Sequence, residues 1–171
     1  MNLQRTSSAG FIVLLLGLAL SGCITSKSAK FQASSAVALF GDGGKFKVFD
    51  HVEGDQYIEN DVAEIQKRAD GGYDFSQQGN EPTAVTVHQI DGDLYVVQSK
   101  KKNAEAYDYL LLLAKGGEFI TYSPDCGKQD KSKMAGVQMI KDNCDIEKVG
   151  DATRFFATID RGEPTAKLVR Q

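Results

Sequence analysis

Few side chains in this sequence have the types and spacing that catalysis requires. Histidine is the commonest general acid or base near neutral pH, and the chain has two, His51 and His88. His88 lies in a run where apolar residues alternate, and His51 lies near a predicted turn. No nucleophile elbow, zinc-binding His-Glu-x-x-His helix or phosphate-binding loop is present. We therefore predict no catalytic residue and no enzymatic activity.

A dense group of acidic residues is a second place where chemistry could occur. Calcium takes six to eight oxygen ligands, and carboxylates supply them in many proteins. The acids here lack the alternating spacing of an EF-hand loop, so the preferred interpretation is a solvated face, with calcium as the alternative. We expect no metal and no cofactor. The group consists of Asp50, Glu53, Asp55, Glu59, Asp61 and Glu64.

The first residues of the chain have the three-part layout of a secretory signal. Arg5 and the initiator amine precede an apolar run at residues 11–20, and small residues follow it. The run is shorter than the roughly 20 apolar residues that a transmembrane helix needs. The segment is therefore expected to be an export signal that is removed.

The residues after the apolar run are Leu20-Ser21-Gly22-Cys23, which resembles the lipobox of bacterial lipoprotein precursors. The resemblance implies a signal peptide at 1–22, cleavage before Cys23, a diacylglyceryl group on its sulfur and often an acyl chain on its freed amine. Two or more acyl chains hold a protein stably on a membrane that it does not cross.

The residue after the modified cysteine indicates whether a lipoprotein stays in the inner membrane or moves to the outer membrane. Ile24 is not the Asp that marks inner-membrane retention in enteric-type lipoproteins. By the same resemblance we expect the periplasmic face of the outer membrane.

Export also bears on the two other cysteines, Cys126 and Cys144. Thiols pair readily in an oxidising compartment, so we predict a disulfide that contributes about 3 kcal/mol by closing a short loop. A free reactive thiol or a metal pair is the alternative, but no histidine lies near either cysteine in sequence, and zinc usually takes four ligands.

Length and charge limit what the mature chain can be. Residues 24–36 are rich in Ser, Ala, Lys and Gln, so we predict a lipidated N-terminus with a flexible tether at 23–36 and one globular domain at 37–171. Loss of Arg5 with the signal changes the formal net charge from −3 to −4. This balance argues against a nucleic-acid partner, because phosphate binding needs clustered Lys and Arg.

Glycine turns divide the domain into short runs rich in Val, Ile, Tyr and Phe, a pattern typical of antiparallel strands. Two of these runs also fit helical spacing, those from residues 62 and 107, but strands are preferred. The predicted strands are 45–52, 62–68, 73–77, 84–90, 94–98, 107–114 and 118–122, with a closing strand at 166–169.

One helix is predicted near the end of the chain. Asp151 is a suitable N-cap, and Ala152, Phe155, Phe156 and Ile159 have amphipathic spacing. The expected fold is mainly β, of the α+β class: a meander sheet, curled or barrel-like, with one C-terminal helix and one disulfide.

Three functions fit these expectations. The leading hypothesis is a membrane-anchored, non-catalytic binding or scaffolding domain that meets an envelope protein. The alternative is a carrier that holds a lipid or small apolar ligand against Tyr95, Val97, Tyr109 and Leu111. The third is an enzyme acting on envelope polymers, which would require His51 or His88 to meet carboxylates in a cleft.

Overall fold

The computed structural model describes residues 24–77, 80–140 and 143–171. It has eleven strands and one α-helix in these ranges. The predicted signal peptide at 1–22 and the predicted lipid attachment at Cys23 fall outside the described residues. The elements are β1 (Ile24–Ser26), β2 (Gly43–Glu53), β3 (Gln56–Lys67), β4 (Tyr73–Gln77), β5 (Thr83–Asp91), β6 (Leu94–Lys100), β7 (Tyr107–Lys115), β8 (Glu118–Tyr122), β9 (Gln138–Ile140), β10 (Asn143–Asp145), α1 (Ala152–Thr158) and β11 (Pro164–Arg170).

Eight of the strands close into a barrel. Strands β2 to β8 follow one another as an antiparallel meander, and β11 pairs with both β8 and β2. The ring is completed because β6 pairs with β7 as well as with β5. Closure removes the free edges that an open sheet would carry. The predicted fold class is confirmed.

The barrel interior is the first of two apolar cores. Strand residues of one parity point inwards, and the ring of Phe40 lies among them at one end, 4.9 Å from the ring of Phe119 and 5.4 Å from that of Tyr73. At the same end Arg170 donates hydrogen bonds to the carbonyl oxygens of Gly43 and Phe40, both at 2.7 Å. The buried members are Phe40, Phe46, Val48, Ala63, Ile65, Tyr73, Val85, Val87, Val97, Leu110, Leu112 and Leu168.

The second core lies on the outside of the barrel, where α1 packs over the outward side chains of β6 and β7. Asp151 caps α1 by accepting a hydrogen bond from the backbone N–H of Arg154, as predicted. Phe156, fully buried, lies 5.7 Å from the ring of Tyr109. The predicted disulfide between Cys126 and Cys144 is present within this core, with a Cα–Cα distance of 5.7 Å.

The segment predicted as a flexible tether is instead part of the fold. Ile24 is 1% exposed because β1 lies between β7 and β10, pairing with Tyr109 on one side and Cys144 on the other. Phe31 packs into the second core, and the side-chain oxygen of Gln98 accepts hydrogen bonds from the backbone N–H groups of Lys30 and Phe31. Two apolar residues in a polar stretch therefore order this segment.

The preferred strand interpretation holds for both stretches that also fitted a helix, since they form parts of β3 and β7. Three short strands, β1, β9 and β10, were not predicted. The first half of β3, from Gln56 to Asp61, was also missed, and it forms part of the candidate site below.

Candidate binding surface on the β2–β3 hairpin

The hairpin of β2 and β3 extends beyond its neighbours. The two strands have 11 and 12 residues and are joined at Gly54, whose φ of +56° is the left-handed conformation that glycine adopts without strain. On the other side of β3, the short strand β4 pairs only from Ala63 to Lys67. The residues before Ala63 therefore pair with β2 alone among the described strands.

Large apolar side chains are exposed on this extension. The exposed fractions are 63% for Ile58, 55% for Val52 and 38% for Val62. In the described part of the chain, the only other large apolar side chains that are exposed are those of Met139 and Ile140. Exposed apolar groups on a protruding element are typical of contact surfaces. The hairpin is therefore the larger of two candidate contact regions.

The same hairpin is strongly acidic. Residues 48–66 contain the six acids predicted as a solvated face, and no Lys or Arg. In the described ranges one of these carboxylates forms an ion pair, Glu59 with Lys47 at 2.9 Å. Asp50 accepts a hydrogen bond from Asn60. Partial burial, and to a lesser degree the nearby Asp61 carboxylate, raise the pKa of Asp50 above its ordinary value.

Side chains in the half of the hairpin nearer its tip are braced on the outer face of the barrel. The Nζ atom of Lys167, on β11, lies 4.7 Å from the centre of the Tyr57 ring and 5.4 Å from that of Phe49. It also forms an ion pair with Glu118 at 3.1 Å. These contacts fix the orientation of the hairpin relative to the barrel wall.

In the described ranges, the partners of the two histidines are hydroxyl groups, aromatic rings and a backbone carbonyl. His88 is 2% exposed, stacks on the ring of Phe31 at 4.9 Å, and its two nitrogens contact the hydroxyls of Ser35 and Thr86. Burial lowers the pKa of His88. His51 lies near the hairpin tip, with Nε2 2.7 Å from the carbonyl oxygen of Gly54. His88 is thus a structural residue of the second core.

The four residues expected to line a ligand cavity do not share one face. Tyr95 and Val97 belong to the barrel interior, whereas Tyr109 and Leu111 belong to the outer core beneath α1. The error arises because β7 has buried side chains on both faces, so its sequence lacks the alternation that would separate them. The predicted lining is therefore wrong.

Within residues 24–77, 80–140 and 143–171, His, Cys, Asp and Glu side chains form no group of three or more arranged to hold a metal ion. No helix in the same ranges is both long and apolar enough to cross a membrane.

Comparison with known proteins gives no relative. No family model matches the chain, and no curated protein or solved structure matches it significantly.

The sequence predicts only part of this hairpin surface. Its acids were recognised, but their strand was predicted to begin at Val62. The signal that was available is the Gly54-Asp55 pair, which favours a hairpin turn and implies a strand directly after it.

Proposed function

We propose that this protein is a lipid-anchored domain of the bacterial cell envelope that binds a protein partner through the β2–β3 hairpin and performs no catalysis. The lipobox pattern at Leu20-Ser21-Gly22-Cys23 supports the anchor. The observation that supports the binding role is the exposure of Ile58, Val52 and Val62 on the part of the hairpin that β4 does not pair with in the described residues.

The anchor is tested by comparing the wild-type chain with Cys23→Ser in its own host. The wild-type protein is expected in the membrane fraction, with the mass of residues 23–171 plus a diacylglyceryl group and any amide-linked acyl chain. The Cys23→Ser protein is expected to lose both the added mass and the membrane association. Equal membrane association of the two proteins would contradict the anchor.

The binding surface is tested by photo-crosslinking in the same host. A photoreactive amino acid at position 58 is expected to give a discrete protein adduct, because this side chain is the most exposed apolar group on the hairpin. The same group at Lys115, an exposed residue in the turn region at the opposite end of the barrel, serves as the control. The adduct should disappear when Val52→Glu is added. Identical adducts at both positions would contradict a specific surface.

A further inference from the structure

The free edge of β3 points to the form in which a partner binds. Among the described strands only β2 pairs with the first residues of β3, and the segment Gln56–Glu59 spans about 13 Å at the usual rise per strand residue. An exposed strand edge offers backbone N–H and C=O groups to an incoming strand. We propose that the partner docks as an extended, basic segment that adds to this edge. The inference rests on the proposed function, because it names the chemistry of the same surface.

Charge determines which segment fits. The acids of residues 48–66 have no basic residue among them, and Lys47 neutralises Glu59 alone in the described part. Repulsion between Asp50 and Asp61 contributes to the raised pKa of Asp50, and a cation placed beside them would relieve it. A lysine- or arginine-bearing strand therefore gains favourable electrostatic contacts that an acidic one would lose.

The register also predicts which residue types alternate along the partner strand. Directly opposed residues of an antiparallel pair share a face. Asp50 is the register partner of Ile58 and shares its face, whereas Lys167 and Lys47 already lie beside Tyr57 and Glu59. The residue opposite Ile58 should therefore be basic, with an aliphatic stem that packs on Ile58, and those opposite Tyr57 and Glu59 should be uncharged. Two other occupants are disfavoured by the same charges: a second copy of this chain would place like-charged edges together, and an anionic leaflet would repel the hairpin.

The test uses the full-length, lipid-anchored protein in neutral detergent and a fluorescent ten-residue peptide of alternating lysine and valine. We expect saturable binding that weakens as salt is raised, together with slowed amide hydrogen exchange at residues 56–59. A glutamate–valine peptide should not bind. Binding of the lysine–valine peptide without protection at 56–59 would overturn the edge assignment.

Matched variants separate specific docking from general charge attraction. Glu53→Gln with Asp61→Asn should weaken peptide binding about fivefold, the scale expected for two exposed ion pairs. Asp91→Asn with Asp93→Asn removes the same charge from the β5–β6 hairpin and should change the affinity less than about twofold. Equal effects of the two pairs would overturn the proposal.

The proposed function can fail separately from this inference. Absence of the crosslink at position 58 in the host would refute the proposed protein partner, whether or not the peptide binds. A crosslink that persists while the peptide gives no protection at 56–59 would leave the partner in place and refute its docking as a basic strand.

Discussion

His88 connects the stability of the whole domain to pH through one buried ring. Burial lowers its pKa in the folded state, whereas the unfolded side chain titrates near 6.5. Below that pH the unfolded chain takes up a proton that the folded chain does not. The unfolding free energy should therefore decrease as pH falls from 7 to 5, by at most about 1.4 kcal/mol per pH unit from this residue.

Urea unfolding of the wild type and His88→Gln between pH 5 and 7 measures this contribution. The variant should show a shallower pH dependence. His51→Gln is the matched control, because the chain has only these two histidines and His51 lies on the hairpin tip. A slope unchanged by His88→Gln would show that His88 takes up its proton in the folded state.

Two aspartates should respond to acid in opposite senses. Partial burial raises the pKa of Asp50, whereas the hydrogen bond from the backbone N–H of Gly72 is the main cause that lowers the pKa of Asp70. At pH 7, Asp50→Asn should therefore stabilise the protein and Asp70→Asn should destabilise it. Both differences should shrink as pH falls, because the wild-type carboxyls become protonated.

Thermal melting at several pH values between 3.5 and 7 checks both variants. Asp50→Asn keeps an oxygen that can accept the hydrogen bond from Asn60, so the comparison isolates the charge. A loss of stability in Asp50→Asn at pH 7 would mean that the Asn60 contact outweighs the burial of the charge.

The ordered N-terminal segment, residues 24–36, can be tested through its largest side chain. Phe31 is 9% exposed and packs against His88 and Phe156. Phe31→Ala should lower the unfolding free energy by about 3 kcal/mol, the lower range for removing a buried phenylalanine. Gln32→Ala, at the exposed next position, should change it by less than about 0.5 kcal/mol. Equal effects would indicate a mobile segment. Urea unfolding of the full chain provides the measurement.

The disulfide joins the segment after β8 to β10, next to β1. Cys126→Ala with Cys144→Ala should reduce the unfolding free energy by about 3 kcal/mol, because the unfolded chain then regains the freedom of the open loop. Urea unfolding without reductant measures the change, and wild-type protein with reductant provides the comparison. A reduction below about 1 kcal/mol would show that the outer core holds these elements without the bond.

The contrast between β1 and the central strands shows what local sequence can and cannot predict. Strands β4 to β8 alternate or are continuously apolar and are bounded by turn residues, so local pattern was sufficient to place them. Strand β1 has three residues, and it is a strand because β7 and β10 lie on either side of it. Those two partners are distant in sequence and leave no local signal. Gln56–Glu59 has no clear alternation either, but its partner β2 is adjacent, and the Gly54-Asp55 turn between them is the local signal for this strand.

Closure of the barrel depends on its last strand. Arg170 joins the end of β11 to Gly43 at the start of β2 and to Phe40 before it, through their backbone carbonyls, and it lies over the ring of Phe46 at 4.9 Å. Arg170→Met keeps much of the apolar stem but loses both hydrogen bonds. We expect a loss of about 1.5–3 kcal/mol, measured by urea unfolding.

Arg154→Met is the control for Arg170→Met, because Arg154 is exposed on α1. It should change the unfolding free energy by less than about 0.5 kcal/mol. A small effect of Arg170→Met would mean that β11 is held by its ladders with β2 and β8 alone.

The pairing of β11 with β2 also sets an order of events during biosynthesis. If the chain is exported N-terminus first, as in the lipoprotein that we propose, β2 would wait for β11 before their ladder could form, and β1 would wait for β7 and β10. Ile24 would stay unpaired throughout this interval. In the lipoprotein that we propose, the modifying enzymes would therefore meet Cys23 before folding buries its neighbour, and late translocation of the C-terminus would keep that interval open.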